Sequence, residues 1–364
     1  MCLMYGEIMT KQLLTIFLIL FIFCAAGCDS GTQTTQNQDI GEIQWQSDGS
    51  AIFGYIQSYA LNINTTQPPI AYSIAKFNTD GSLAQTYNSN GPASRPVDPI
   101  TGQITESYSP SIYLSPDGSQ IVTQLENDLY RYNVKTNVLQ KLDSLQHLIT
   151  VSPDLHYTVS TNSPQIQPIK TIYIYDILNS PIRLVKKFDI DNVALEPGLW
   201  LANTGMFAIT CYDSTGAHVD IFDTTGSLRN IIGGAETAFH NVAYNTLAND
   251  IFLRNWAGKS TDQFLDKINL SSMTRTNILN FQVENFDITA DEQVIIYSAK
   301  DTINSTVHGN SMKIRNLQTL KELPQPLATD IMRYVVLSHS QDRVAYVRGD
   351  INFNQIQTIS FARP

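Results

Sequence analysis

The chain has 364 residues, of which 43% are hydrophobic, and it carries a formal net charge of −10 and four cysteines. This length and composition suffice to bury a large core, either as one large domain or as two medium ones. Such an acidic chain lacks the clustered Lys and Arg side chains that bind nucleic acid or dock on anionic lipid, so neither partner is predicted.

The sequence pattern at the start of the chain is typical of an export signal. Lys11 precedes an apolar run from Leu13 to Phe23, and small residues then lead to Cys28. A basic start, a short apolar run and small residues before a cleavage point define a secretory signal, and this run is shorter than the roughly 20 residues that span a bilayer. Residues 1–27 are therefore predicted to be a signal peptide, and translation is expected to start at Met9.

The end of this segment, Cys24-Ala25-Ala26-Gly27-Cys28, resembles the lipobox of bacterial lipoproteins, although Ala25 stands where leucine is commonest. The resemblance implies cleavage before Cys28 and a diacylated Cys28 thiol, and two acyl chains anchor a protein stably. The expected location is the periplasmic face of a membrane or the cell surface. Asp29 resembles the signal that retains lipoproteins on the inner membrane of enteric bacteria. A plain signal peptide or an uncleaved anchor is the alternative.

Residues 29–41 are polar, lack apolar spacing and are predicted to form a flexible tether. In the mature chain only Cys28 and Cys211 remain, so no disulfide framework is predicted. Cys211 alternates with Phe207 and Ile209 in an apolar run, which is typical of a small buried side chain. A reactive thiol is the alternative.

A short turn motif recurs along the rest of the chain. Its clearest copy is Leu114-Ser115-Pro116-Asp117-Gly118-Ser119-Gln120-Ile121-Val122, in which an apolar strand enters a Pro-Asp-Gly turn and a second strand follows. Proline sets φ at the first central position of a turn, aspartate accepts local backbone hydrogen bonds, and glycine adopts positive φ. The positions equivalent to Asp117 are 48, 117, 154, 204, 247, 291 and 340.

A second hairpin follows each of the first six turns. Its first copy runs from Ile74 to Leu83, and the alternation of apolar and polar residues in it is typical of half-buried strands. Each full unit therefore holds four strands, a to d, and repeats of about 40–50 residues are typical of propeller blades. The sequence predicts an all-β, seven-bladed propeller of four-stranded antiparallel blades over residues 42–364. A pair of β-sandwiches or a β-solenoid is the alternative.

The turn Ser115-Pro116-Asp117-Gly118 with Ile121-Val122 resembles the WD40-like repeat of TolB-type propellers, which dipeptidyl-peptidase propellers share. The resemblance covers nearly the whole mature chain and implies a fold, not an activity. The sequence leaves no room for the α/β domain that TolB carries before its propeller. It also lacks the G-x-S-x-G elbow that a peptidase of this kind needs.

The seventh unit provides strands a, b and c, within residues 334–337, 343–347 and 355–361, and has no fourth strand. An unpaired sheet edge is a liability, because it can pair with another chain. The segment from Gln36 to Gly41 is therefore predicted to pair with the last c strand and close the ring.

The longest connections are predicted to project from one face of the disc, which we call the loop face. They are the b–c loops at 57–71, 161–170 and 301–311 and the d–a loop at 88–109. The short a–b and c–d turns form the opposite, tight-turn face. Because long loops often carry function, Tyr59, Trp256 and His308 are candidate binding residues on the loop face, and His240 is a candidate near the central channel. Each also fits ordinary surface.

Catalytic and metal motifs are not recognisable in the sequence. The six histidines are scattered singly, no H-x-x-x-H pair occurs, and no D-x-D-x-D-G loop is present. No catalytic residue, metal or cofactor is therefore predicted.

The leading functional hypothesis is a monomeric, lipid-anchored scaffold in the cell envelope that binds another protein through its loop face. The alternatives are a propeller enzyme, such as a sugar lyase or hydrolase, and a carbohydrate or small-ligand binder. Both alternatives would use the central channel.

Overall fold

The computed structural model describes residues 37–59, 71–88, 112–125, 128–145, 147–161, 169–193, 198–214, 216–233, 238–245, 249–256, 263–279, 283, 285–303, 306–323, 328–330, 332–338, 340–350 and 353–364. These residues form 27 β-strands in seven antiparallel blades. The predicted propeller is confirmed. The signal peptide, Cys28 and most of the predicted tether lie outside the described residues.

Blades 1 to 4 contain four strands each. In blade 1 they are β1 (Asn37–Trp45), β2 (Ile52–Tyr59), β3 (Ala71–Phe77) and β4 (Leu83–Asn88). In blade 2 they are β5 (Ile112–Leu114), β6 (Gln120–Leu125), β7 (Asp128–Asn133) and β8 (Val138–Ser144). In blade 3 they are β9 (His147–Val151), β10 (Tyr157–Thr161), β11 (Ile169–Asp176) and β12 (Arg183–Val193). In blade 4 they are β13 (Leu199–Leu201), β14 (Met206–Asp213), β15 (Gly216–Asp223) and β16 (Leu228–Gly233).

Blades 5 and 6 repeat this order, and blade 7 has three strands among the described residues. Blade 5 contains β17 (Ala238–Asn245), β18 (Asp250–Trp256), β19 (Gln263–Asn269) and β20 (Thr274–Leu279). Blade 6 contains β21 (Asn285–Ile288), β22 (Val294–Ile303), β23 (Thr306–Asn316) and β24 (Ala328–Asp330). Blade 7 contains β25 (Met332–Leu337), β26 (Arg343–Asp350) and β27 (Phe353–Ser360).

The a–b turns follow the predicted motif. In blade 2 the Gly118 N–H donates to the Ser115 carbonyl, while the Asp117 carboxylate accepts from the Ser115 hydroxyl and from the Ser119 N–H. Blades 3, 6 and 7 repeat the serine or threonine hydroxyl at the position of Ser115. Blade 4 departs from the motif, because the Thr204 N–H donates to the Leu201 carbonyl and Asn203 has positive φ. Asn203, not Thr204, therefore occupies the position of Asp117.

Each blade buries both of its faces against its neighbours. In β2, Ile52 and Ile56 pack towards blade 7, whereas Phe53 and Tyr55 pack towards blade 2. This division follows from the alternation of side chains along a strand. The buried side chains form seven apolar clusters, one at each boundary between neighbouring blades, including the boundary between blades 7 and 1. Seven boundaries among seven blades require a closed ring.

The predicted closure by strand pairing is wrong. Residues 37–41 belong to β1, which pairs with β2 and forms the innermost strand of blade 1. The residues of this segment close the ring by packing instead, since Ile40 and Ile43 share a cluster with Ile356 of β27. The physical reason is that a β-bulge between Ile40 and Ile43 places Ile40 on the same side as Ile43 and Trp45, so the segment continues the a strand of its own blade.

Polar contacts complete the boundary between blades 7 and 1. The Trp45 indole N–H donates to the Val336 carbonyl at 3.1 Å, and the Arg343 guanidinium lies 5.1 Å from the centre of the Trp45 ring. The Thr358 hydroxyl donates to the Thr79 carbonyl at 2.8 Å. Gly81 has a φ of 85°, and a Cβ at this position would collide with the Ile356 carbonyl, so the c–d turn of blade 1 lies directly against β27.

We expect Trp45→Ala to lower the free energy of unfolding by about 3–5 kcal/mol, because it removes a buried aromatic ring, the hydrogen bond to Val336 and the contact with Arg343. Urea unfolding followed by circular dichroism measures this change. The control is Leu320→Ala, an exposed position where the change should stay within about 0.5 kcal/mol. Equal effects of the two substitutions would contradict closure through Trp45.

Candidate functional site

The tight-turn face is built from polar groups that bond to their own turns. The carboxylates of Asp48, Asp80 and Asp117 accept backbone N–H groups two residues further along the chain. Hydrogen bonds from Ser115 and Ser119 hold the pKa of Asp117 down at about 2. Bonds from Thr225, Ser227 and Arg229 outweigh the effect of burial and bring the pKa of Asp223 to about 2 as well. This face therefore presents carboxylates that are already engaged within the chain.

The loop face contains a strand extension where the sequence predicted a loop at 301–311. Residues 301–303 end β22 and residues 306–311 belong to β23, and the two strands pair up to Ile303 and Thr306. The pairing of β21 with β22 ends at Ser298, and the pairing of β24 with β23 ends at Asn310. Among the described strands, residues 301–303 and 306–309 therefore pair only with each other. We call them the blade 6 arm.

The four predicted binding residues lie in strands and not in loops. Tyr59 ends β2, Trp256 ends β18, His308 lies in the blade 6 arm, and His240 lies in β17 opposite Arg254. The direction of each strand carries these positions to the loop-face end of its blade. Their side chains lie outside the part of the chain whose side chains the structure describes, so their roles stay predictions. The predicted loops at 57–71, 161–170 and 88–109 also fall largely outside the described residues.

The innermost strands form the wall of the central channel. Strand β21 of blade 6 lies beside β25 of blade 7, which lies beside β1. Asp287 bridges two of these strands, because its carboxylate accepts the N–H of Leu337 on β25 at 2.7 Å and the N–H of Ile288. Burial raises the pKa of Asp287 to about 6, against the lowering effect of these two hydrogen bonds.

A cluster of potential metal ligands lies in blade 4, near the loop face. Cys211 of β14 pairs with His218 of β15, and Asp220 follows two residues later on the same side of the sheet. One ligand atom from each of the three side chains lies within 4.8 Å of the others, and all three side chains are buried. The His218 Nε2 atom lies 3.3 Å from the Asp220 Oδ1 atom.

Sequence reasoning missed this cluster because it searched for paired histidines on one local segment. The three residues follow the pattern C-x6-H-x-D, which is not a recognised metal-binding motif. Only the register of the hairpin, with Asp213 opposite Gly216, sets Cys211 across from His218. The sequence did predict correctly that Cys211 is buried.

Comparison with known proteins identifies the fold. No protein-family model matches the chain, and no curated protein matches its sequence. An oligogalacturonate lyase from Vibrio parahaemolyticus superposes with a TM-score of 0.62 at 10% identity, over 92% of this chain and 95% of the lyase. Kuenenia stuttgartiensis hydrazine synthase superposes with a TM-score of 0.62 at 10% identity, over 93% of this chain and 99% of that chain.

A third solved structure has the same fold. The β-propeller domain of Cps50 (Swd1) from Myceliophteria thermophila superposes with a TM-score of 0.59 at 7% identity, over 90% of this chain and 99% of that domain. These three proteins have different names and are at most 10% identical to this chain, so the likeness shows the propeller fold alone. In the described part of the chain, no helix has the length and apolar character needed to span a membrane.

We expect Asp287→Asn to flatten the dependence of stability on pH. The pKa of Asp287 is about 6 in the folded state and 3.8 in the reference state, so the folded protein binds this proton more tightly. Stability should therefore fall as the pH rises from about 4 to about 6, by up to about 3 kcal/mol for a shift of this size. Urea unfolding midpoints between pH 4 and pH 7.5 measure this slope in both proteins.

The control for this prediction is Asp117→Asn. The pKa of Asp117 is lowered to about 2, so its stabilising effect is lost only as the pH falls from about 4 towards 2. This substitution should leave the slope between pH 4 and pH 7.5 unchanged. An Asp287→Asn variant that keeps the wild-type slope would contradict the assignment, whatever its overall stability.

Proposed function

We propose that the chain is a lipid-anchored β-propeller of the bacterial cell envelope that binds another protein through its loop face. The observation that carries this proposal is the unequal construction of the two faces. On the tight-turn face, side chains such as Asp117 and Asp223 are bonded to their own turns. The blade 6 arm lies on the opposite face, where the sequence also predicts the long connections, so that face has strand edges that can contact a partner.

The blade 6 arm supports recognition by strand addition. A two-stranded ribbon that extends beyond its sheet presents backbone N–H and C=O groups along its outer edges. Such edges bind an extended segment of another protein, with main-chain hydrogen bonds providing affinity and alternate side chains providing specificity. The strands of the arm continue the core strands β22 and β23, whose inner residues Ile296 and Ile314 are buried, so the arm extends directly from the core of blade 6.

The position of β1 relates this face to the membrane. Strand β1 begins at Asn37 and runs to the a–b turn on the tight-turn face, so Asn37 lies at the loop-face end of blade 1. Eight residues lie between Cys28 and Asn37, so nine residue-to-residue steps join them. A fully extended chain of this length spans about 30 Å. An anchor on Cys28 would therefore keep the loop face near the bilayer, which favours a partner that is itself embedded in or bound to that membrane.

Anchoring is tested by Cys28→Ser. We expect this variant to leave the membrane fraction and to lose the label when cells are fed an alkyne fatty acid, because the thiol is the acceptor of the lipid. The matched control is Cys211→Ser, which changes a buried thiol and should keep both membrane association and label. Retention of the Cys28→Ser protein in membranes would contradict a lipid anchor on this residue.

Partner binding is tested with a photo-crosslinking amino acid placed at single positions in the full chain. We expect an adduct of one defined mass from Thr302 and Val307 of the blade 6 arm, and no adduct from Asp80 and Thr136 in turns of the tight-turn face. Deletion of residues 302–307 should abolish the adduct formed from Tyr59 or Trp256 and keep the melting temperature. Adducts from both faces, or from neither, would contradict the proposal.

The channel alternative makes a different prediction. His240 lies in β17, the innermost strand of blade 5, so an enzyme that uses the channel would lose activity or bound metal in His240→Ala. The likeness to an oligogalacturonate lyase is a likeness of fold, and it does not identify a catalytic residue in this chain. Partner binding is therefore the function that the described geometry favours.

A further inference from the structure

We propose that Cys211, His218 and Asp220 bind a zinc ion in blade 4, a site that is independent of partner binding through the loop face. The three residues lie on the hairpin of β14 and β15, where Cys211 stands directly opposite His218. Side chains two apart on a strand share a face, and cross-strand partners share that face as well, so the hairpin aims all three at blade 3.

The geometry suits a single small cation. All three ligand atoms lie within 4.8 Å of one another. A tetrahedral zinc ion with bonds of about 2.1 Å to nitrogen and oxygen holds those two atoms about 3.4 Å apart. The separation of 3.3 Å between His218 Nε2 and Asp220 Oδ1 matches that spacing without any movement of the backbone.

The surroundings of the cluster give a physical reason for a cation. The same side of the blade buries Ile209, Phe207 and Phe222, which form an apolar cluster with blade 3. A carboxylate in such a place is costly unless an opposite charge accompanies it. A zinc ion with a Cys211 thiolate, an Asp220 carboxylate and a neutral His218 imidazole has no net charge. The site can therefore be buried at a small electrostatic cost.

The donor set selects the metal. Thiolate and imidazole ligands favour zinc over magnesium or calcium, which prefer oxygen ligands. Three protein ligands leave one tetrahedral position for water, whereas most structural zinc sites have four protein ligands. Because all three residues are buried, we assign the ion a structural role, which is to join the two strands of the hairpin at its loop-face end.

The location of the site explains what such an ion would stabilise. The last residues of β12 cross from blade 3 to blade 4, where Asn192 pairs with Tyr212 and Val193 pairs with Cys211. In the described part of the chain, the innermost strand of blade 4, β13, pairs with Met206 to Ala208 at the other end of β14. Cys211 thus lies at the junction of two blades, and an ion there would fix the hairpin that receives the crossing strand.

The test is metal binding by the purified full-length chain without a histidine tag. Cobalt(II) added to the chelator-treated protein should bind at one ion per chain, with a thiolate-to-cobalt charge-transfer band and the intense visible bands of tetrahedral cobalt. Zinc should displace the cobalt and remove these bands. Zinc should also raise the melting temperature of the wild-type protein, because an ion that binds only the folded state stabilises it.

Variants assign the ligands. Cys211→Ser should remove the charge-transfer band, and His218→Ala should weaken zinc binding at least about 100-fold, since even residues behind a ligand change affinity by 10- to 100-fold. The matched control is His156→Ala. The His156 Nε2 atom lies 3.5 Å from an Asp176 carboxylate oxygen, and this pair does not belong to the group of potential metal ligands found among the described residues. This variant should bind cobalt and zinc like the wild type.

The wild-type measurements decide the proposal even if a variant fails to fold. Absence of the charge-transfer band, together with a melting temperature that zinc leaves unchanged, would overturn it. The cluster would then be a thiol beside a histidine–aspartate contact. A band that persists in Cys211→Ser would equally overturn it, because the thiolate would come from another residue. The crosslinking result on the loop face is unaffected by any of these outcomes.

Discussion

The packing of one sheet face on the next is the constraint on which this structure depends. A four-stranded blade has two apolar faces, and an isolated blade would expose both to water. In blade 1, Ile52 and Ile56 cover one face and Phe53 and Tyr55 the other, so the blade needs a neighbour on each side. Burial of such side chains is worth about 1.5–3 kcal/mol each. A row of blades always leaves two faces uncovered, and only a ring covers them all.

Closure of the ring at blades 7 and 1 therefore completes the core. Propeller edges can be closed by a strand that belongs to both ends of the chain, but here residues 37–41 pair within blade 1. Trp45 stabilises the boundary, because its ring packs between the two blades and its indole N–H donates to the Val336 carbonyl. The Arg343 guanidinium lies over the same ring. Among the described residues, blade 7 keeps three strands, and the turn at Gly81 lies against its last one.

The turns and the connections divide the disc into two chemically different faces. In the a–b turns of blades 2, 3 and 6, a hydroxyl and a carboxylate, as in Ser152 and Asp154, bond to each other and the carboxylate accepts a nearby N–H group, so these turns stabilise the tight-turn face from within. Long insertions there would disrupt these bonds. Insertions are tolerated at the other ends of the strands, where the blade 6 arm, the start of β1 and the Cys211 cluster all lie. Functional residues are expected on the loop face, because turn and core contacts restrict its sequence least.

The sequence by itself determined the number and type of blades, because turn chemistry and alternation are local properties. Ser115-Pro116-Asp117-Gly118 specifies its turn within four residues, and the burial of Cys211 follows from its neighbours Phe207 and Ile209. Residues 37–41 were assigned to the wrong strand, and residues 301–311 to a loop, because neither segment has the regular alternation of apolar and polar residues that indicates a strand. The metal cluster was not recognisable because the pattern C-x6-H-x-D does not show by itself which residues pair. Only the tertiary structure decided the pairing of Cys211 with His218, since register is set by the whole hairpin and its packing on blade 3.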